Sequence, residues 1–239
     1  MVLTWHKGIL SHSTQVTNNT RLFYFKLEGM STFDFKPGQF VTLDLPIHEI
    51  PARRRRSFSI ASAPNGSNEI ELVIVLLEGG SGSNYLFNEM KEGEALQLRG
   101  PQGIFTLPEI IDRDIFLVCT GTGIAPFKSM LDYLRDNNVP ISHDIYLIFG
   151  TRTQEDLLYY EEMKQLEKDL PHFHYIPTLS REKWEGETGY VHHVYERLVE
   201  KKQPAHFYLC GWKNMIREAK KRIKALGYDR RSIHQELYG

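Results

Sequence analysis

The sequence predicts two domains, an antiparallel β-barrel or sandwich over residues 1–110 followed by an α/β domain with a parallel sheet over residues 111–239. Up to about residue 107 the chain consists of short β-branched and aromatic runs broken by glycine and proline turns. From about residue 114 it repeats strand, loop and amphipathic helix, the rhythm of a parallel sheet covered on both faces. The length agrees, since 239 residues at roughly 150 per domain give one or two domains.

In the first half the expected strands are Leu22 to Leu27, Phe40 to Leu45, Ser57 to Ala61, Ile70 to Leu77 and Ala95 to Arg99. Lys36-Pro37-Gly38-Gln39 and Ala63-Pro64-Asn65-Gly66 supply turns, and one short helix is expected at Asn84 to Met90. In the second half Ile115 to Cys119 is an apolar strand, and the helix after it carries Phe127, Met130, Leu131 and Leu134 at i, i+3, i+4 and i+7. Asp144 to Phe149 is the next strand, and Thr153 with Asp156 three residues on forms a variant capping box that opens a helix. A strand at His172 to Pro177, a helix near Val191 to Lys201 and a strand at His206 to Leu209 follow. A last helix is expected to bury Trp212, Met215, Ile216, Ala219 and Ile223 on one face. Asp112 to Asp114, after Pro108, is the expected domain boundary.

Composition narrows the function. Lys and Arg number 29 against 30 Asp and Glu, so the basic excess of a dedicated nucleic-acid binder is missing. Two cysteines, Cys119 and Cys210, are too few for a cysteine-ligated iron–sulfur cluster or a cysteine zinc site, and no disulfide framework is expected. No metal site is expected, and the ten histidines, among them His192-His193 and His172-x-His174, are expected to be exposed or structural. MVLTWHKGIL lacks the charged and long apolar stretches of a signal peptide, and no apolar run spans a bilayer, so no membrane insertion is expected and the cytoplasm is the expected compartment.

Three segments carry chemistry. Cys119-Thr120-Gly121-Thr122-Gly123-Ile124-Ala125-Pro126 joins a strand to a helix. Its glycines allow close backbone approach, and the helix start offers free N–H groups to an anion. Alone, the same turn also suits a plain strand–helix connection. A dinucleotide site normally places an acidic residue after the second strand to bind ribose hydroxyls. Here that strand ends in Gly150-Thr151-Arg152, and the third in Thr178-Leu179-Ser180-Arg181, so cations stand where a 2′-phosphate would need them. Arg53 to Arg56 is the second segment. It would suit a nucleic-acid patch, yet it runs into Ser57-Phe58-Ser59, giving charge, aromatic face and hydroxyl in the order a flavin and its diphosphate require. Arg53 and Arg54 are expected to form an exposed basic loop. The third segment is Gly79-Gly80-Ser81-Gly82-Ser83-Asn84-Tyr85-Leu86, in which Ser83 is expected to cap the short helix and free N–H groups face an anion. A flexible hairpin tip would have the same composition.

Together these segments resemble the ferredoxin–NADP⁺ reductase superfamily, flavoproteins with an antiparallel β-barrel FAD-binding domain and an α/β parallel-sheet NAD(P)-binding domain. Arg56-Ser57-Phe58-Ser59 resembles the family's Arg-x-Tyr/Phe-Ser flavin motif, and Gly80 to Leu86 its Gly-x-x-Ser-x-x-Leu diphosphate loop. Pro37-Gly38-Gln39-Phe40 and Gly100-Pro101-Gln102-Gly103-Ile104-Phe105 resemble the entry to a barrel strand and the end of the barrel. Thr120 to Pro126, Gly150-Thr151-Arg152 and Cys210-Gly211-Trp212-Lys213-Asn214-Met215 resemble the pyridine-nucleotide segments, and Glu236-Leu237-Tyr238-Gly239 resembles the ending of bacterial relatives.

The resemblance implies that Arg56, Ser57, Phe58, Ser59, Val73, Val75, Gly80, Gly82, Ser83, Asn84 and Tyr238 hold FAD. It likewise implies that Thr120, Gly121, Thr122, Gly123, Arg152, Ser180, Arg181, Gly211 and Met215 hold NADPH, NADH remaining an option. Ser59, Cys210 and Glu236 are the implied catalytic residues, Ser59 near flavin N5 and Cys210 beside the nicotinamide. Phe58 lacks the hydroxyl of a tyrosine at that position, and Tyr190 is expected to serve packing. The implied activity is hydride transfer from NADPH to flavin, with electrons passed to a separate carrier, ferredoxin or flavodoxin, by a monomer or weak dimer. An NADH-dependent reductase component of an oxygenase or cytochrome system is the alternative. A non-autonomous electron-transfer subunit ranks below it, because such subunits carry a cysteine cluster absent here, and an RNA-binding module ranks last.

Overall fold

The computed structural model describes residues 4–238, apart from the side chain of Tyr238. Its contacts divide the chain into two compact units, one of residues up to Thr106 with Lys128–Tyr133, the other of Leu107–Phe127 and the chain from Leu134 onward.

The first unit contains β1 (Trp5–Thr17), β2 (Thr20–Leu27), β3 (Phe40–Asp44), α1 (Pro51–Arg54), β4 (Arg55–Ser59), β5 (Glu69–Val75), α2 (Ser81–Asn88) and β6 (Ala95–Gln102). The strands form one antiparallel sheet in the order β4-β3-β6-β1-β2-β5. Its two outer strands meet through a single bridge, Ile60 with Leu72, beside an Ala61 N–H bond to the Glu71 carbonyl at 2.8 Å. The expected barrel is thus rolled up but pinned by one bridge rather than by a continuous ladder. Alternate residues point inward, as the two-residue strand period requires: Phe23, Phe25 and Leu27 on β2, Val41 and Leu43 on β3, and Ile70, Leu72 and Ile74 on β5, with Leu86 and Phe87 from α2.

Three expectations change here. β1 is not among the expected strands, because most of Trp5–Thr17 is polar, with only Gly8, Leu10 and Thr17 buried, so the strand carries almost no hydrophobic alternation. α2 opens at Ser81 rather than Asn84, and Ser83 does not cap it. Gly80 is the N-cap, while the Ser83 hydroxyl, inside the first turn, donates to the Gly80 carbonyl (3.1 Å) and accepts from the Leu77 N–H (3.0 Å). Nor is Arg54 an exposed loop charge. It closes α1 and forms a two-pronged pair with Asp44 on β3, Nη2 lying 3.0 Å from Oδ2.

The second unit contains β7 (Asp114–Thr120), α3 (Ala125–Asp136), β8 (Ile145–Thr151), α4 (Tyr160–Asp169), β9 (Phe173–Leu179), β10 (Glu187–Thr188), α5 (Val191–Leu198), β11 (Ala205–Trp212), α6 (Lys213–Ala225) and β12 (Ile233–Tyr238). All pairs are parallel, in the order β10-β9-β8-β7-β11-β12. β7 lies centrally, and Ile115 to Cys119 are completely buried, which explains the unbroken apolar run. Phe127, Met130, Leu131 and Leu134 on α3 are buried as expected. The Thr153–Asp156 capping box forms, but it closes a one-turn 3₁₀ segment, Gln154–Asp156, and α4 begins only at Tyr160. On α6, Ile216, Ala219 and Ile223 are buried whereas Trp212 is 60% exposed, because it precedes the helix as its N-cap. The C-terminal segment is an edge strand, paired with β11 from Phe207–Ile233 to Trp212–Tyr238.

Candidate functional site

In the first unit the four arginines of the run part company. Arg54 is spent on Asp44, whose carboxyl the Arg54 hydrogen bond holds below its ordinary range. Arg55 lies over the Trp5 ring at 4.9 Å, with Arg99 at 5.0 Å from the same ring, a pairing the sequence did not suggest. Arg53 stays exposed. Arg56 pairs across the sheet with Leu43, and its Nη1 donates to the Arg53 and Arg55 carbonyls at 3.0 and 2.8 Å. Thus tethered, its stem covers the start of α2, where a Cβ on Gly82 would stand 3.2 Å from Arg56 Cγ and 3.3 Å from Nε.

Folding therefore joins two segments that are distant in sequence. Beside them Leu76–Ser81 and Asn84 line a cleft of about 360 Å³. The α2 N-terminus carries no side-chain cap and no acidic residue in its first turn, so its N–H groups and positive dipole end are available to an anion. This cradle fits the diphosphate of FAD: a guanidinium, a glycine that admits close approach and an uncapped helix start.

Other implied flavin residues are placed as follows. Phe58 shares the face of Arg56, opposite Val41, and packs partly on the core. Ser59 is buried. Ser57 turns to the other face, its hydroxyl 3.0 Å from that of Thr42, which also accepts from Gln102 Nε2 at 2.9 Å. Val73 and Val75 on β5 alternate with the core residues Leu72 and Ile74 and so face away from the core. Tyr238 is placed only by its backbone pairing with Trp212, its side chain lying outside what the structure describes.

In the second unit the implied coenzyme residues gather at the carboxyl ends of four neighbouring strands, β9, β8, β7 and β11. The glycines there are imposed by backbone packing. A Cβ on Gly123 would stand 2.5 Å from the Cys210 carbonyl oxygen, and one on Gly211, at φ 127°, 2.5 Å from Thr120 Oγ1. Gly121 to Ile124 form a 3₁₀ turn that runs into α3, leaving Gly121 and Thr122 half-exposed. Ser180 N–H and Oγ both bond the Thr151 carbonyl (3.0 and 3.1 Å), and Arg181 N–H bonds the Arg152 carbonyl at 3.0 Å. These bonds zip the two cationic loops together, leaving Arg152, Ser180 and Arg181 exposed side by side.

Cys210 is fully buried, in register with Cys119, whose thiol is pushed up by burial and by Cys210. Met215 is half-buried on the core, and Glu236 lies in register with Cys210 on β12. Tyr190 does not pack: it is 66% exposed at the N-cap of α5. Of the histidines singled out above, His193 is exposed, His192 bonds the Tyr195 hydroxyl at 3.0 Å, and His172 and His174 share one oxygen of Asp144. No three metal-binding side chains converge among the described residues.

Comparison with known proteins supports the two-part layout. The oxidoreductase FAD-binding domain family matches residues 7–107 and the oxidoreductase NAD-binding domain family residues 117–221. Ferredoxin–NADP reductase B of Sorangium cellulosum is 35% identical over 223 residues, covering 90% of this chain and 89% of that one. The anthranilate 1,2-dioxygenase electron transfer component of Acinetobacter baylyi is 32% identical over 195 residues, covering 81% of this chain but 55% of its own length. In fold, the Amycolatopsis cytochrome P450 reductase GcoB superposes with a TM-score of 0.87 at 24% identity, over 98% of this chain and 69% of that one. With one family domain on each half and a relative matched along nearly its whole length, the chain belongs to the ferredoxin–NADP⁺ reductase superfamily, as an FAD-containing oxidoreductase.

Proposed function

We propose that the chain is a reductase that oxidises NADPH and delivers the electrons to a separate soluble carrier, ferredoxin or flavodoxin. The observation that supports the coenzyme assignment is the backbone zipper between the Arg152 and Ser180–Arg181 loops, which joins two exposed arginines and a serine after the strands where a dinucleotide site would otherwise carry an acidic residue for ribose hydroxyls. Bound FAD supplies the hydride acceptor and the release of single electrons. Arg56 and the uncapped α2 start hold its diphosphate, Phe58 gives the flat ring a wall, and Ser59 donates near N5. Cys210 shapes the nicotinamide end, and Glu236 holds a proton for the flavin edge. The domains divide at 110/111, and the protein acts in the cytoplasm as a monomer or weak dimer.

A visible spectrum tests the flavin assignment, and a preparation that stays colourless after reconstitution with FAD would sink it. Dye reduction with NADPH and NADH tests the coenzyme. NADPH is expected to be preferred, with Arg181→Ala lowering the NADPH/NADH ratio of kcat/KM about tenfold through loss of a charge-assisted contact. Equal use of both coenzymes by the wild type would overturn this assignment.

A second reading, an NADH-dependent reductase component of an oxygenase or cytochrome system, is favoured by the dioxygenase electron transfer component just described, of which the chain spans 55%. Cytochrome c reduction with and without added ferredoxin or flavodoxin separates the two readings, since only a carrier-linked reductase is accelerated.

A further inference from the structure

Trp212 is a large side chain left in solvent, 60% exposed, and so forgoes the burial that an indole of this size normally finds. The backbone explains why. Gly211 presses on Thr120, and the Trp212 N–H bonds Thr120 Oγ1 at 3.2 Å, so the end of β11 is fastened to the turn that follows β7. With φ −62° and ψ 132°, Trp212 then leaves the strand as the N-cap of α6. As the N-cap, it lies outside the helical turns that bury Ile216, Ala219 and Ile223.

The ring reaches the glycine turn. Indole Nε1 lies 3.7 Å from where a Cβ on Gly121 would stand, and no other residue beyond the turn itself comes within 4 Å of that point. No acceptor among the described residues takes the indole N–H. Gly121 itself has φ 55°, so its open side is kept clear by conformation as well as by composition. α6 opens beside this point with no side-chain cap and no acidic residue in its first turn. Three sources of donors thus border one spot: the 3₁₀ turn that leads into α3, the start of α6 and the indole.

We infer that Trp212 is a coenzyme-binding residue, its indole N–H donating to an oxygen of the dinucleotide's diphosphate at the Gly121 turn while the ring walls one side of it. The inference rests on the coenzyme site proposed above. It assigns Trp212 to the part that NADPH and NADH share, in contrast to Arg181, which is assigned to the 2′-phosphate. The residue sets affinity, not coenzyme preference.

Calorimetric titration of the flavin-loaded protein with NADP⁺ and with NAD⁺ tests this without turnover. Trp212→Phe keeps a ring and removes the N–H, and its exposure leaves the core intact. The expected result is a rise of about tenfold in Kd for both coenzymes, the size of one hydrogen bond to a charged acceptor, with the NADP⁺/NAD⁺ ratio unchanged. Arg181→Ala is expected to change that ratio instead. Binding by Trp212→Phe within twofold of wild type for both coenzymes overturns the inference, as does a loss in Trp212→Ala that Trp212→Phe does not share. A loss confined to NADP⁺ overturns the diphosphate assignment. A wild type that binds neither coenzyme refutes the site itself, a result distinct from all of these.

Discussion

A Cβ added to Gly79 would meet nothing within 4 Å, whereas one added to Gly123 would stand 2.5 Å from the Cys210 carbonyl oxygen and 2.6 Å from its carbon. Both glycines belong to turns that lead into a helix, α2 or α3. In the antiparallel unit the turn is shaped by side chains, the Ser83 hydroxyl and the Arg56 guanidinium, and its tip is open. In the parallel unit the turn is shaped by backbone lying on backbone, β7's exit against β11's. The same composition therefore serves two purposes. Gly79 leaves the tip of its loop open, whereas Gly123 makes room for the neighbouring strand.

The largest effect expected from this contrast is on stability. Gly123→Ala forces a carbon into main-chain atoms that cannot swing aside, and should cost about 3 kcal/mol. Gly79→Ala has room and bears only the strain of its φ of 71°, roughly 1 kcal/mol. Thermal or urea denaturation of the two variants measures the difference, and equal losses would remove the distinction drawn here. Next in size is Arg56→Ala, which should weaken FAD binding about thirtyfold, the loss of charge-assisted bonds worth roughly 2 kcal/mol. Titration of apoprotein with FAD reads this directly. If the apoprotein lost as much stability as the holoprotein did, the arginine would be a strut for α1 and β4 and not a ligand contact.

How much of this was legible in the sequence depended on what each residue answered to. The central parallel strands were plain because burial on both faces leaves an uninterrupted apolar run, as at Ile115 to Cys119. β1 was invisible because it lies in the sheet between β6 and β2 yet buries only Gly8, Leu10 and Thr17, leaving no run of alternating apolar residues. β12 was missed for a similar reason, its His, Gln and Glu giving no clear alternation at a sheet edge. Motif spacing singled out Arg56, Gly82 and the Arg152 and Arg181 loops as candidates, and folding brings Arg56 beside Gly82 and joins the other two loops. It could not show that Arg54 would be taken by Asp44, since that pairing depends on strand register. Trp212 was misassigned because helical periodicity was extended one residue too far, past the cap. A glycine immediately before an aromatic at the mouth of a helix was the signal that would have found it.

The smallest effect separates the units by pH. β11 and β12 are joined by His206 and His234, with His234 Nε2 3.2 Å from His206 Nδ1 and the His234 ring stacked on Tyr208 at 4.4 Å. The antiparallel unit has no such pair among the described residues. Burial depresses the pKa of both rings, helped by Arg113 at His206 and by His206 at His234. Each therefore binds a proton more readily unfolded than folded, so their contribution is complete above about pH 6.5 and is lost as pH falls through the folded values. Carboxylates held low by arginine, Asp44 by Arg54 and Asp112, to about 2, by Arg113, titrate further down and leave the interval just below 6.5 to these two histidines and to His192, which burial also depresses. The melting temperature should decline by a few degrees across that interval, and His234→Gln, which removes one of the two charges, should flatten the decline. A wild-type profile already flat there, or a variant with an unchanged slope, would show that the strand carrying Glu236 is not secured through this pair.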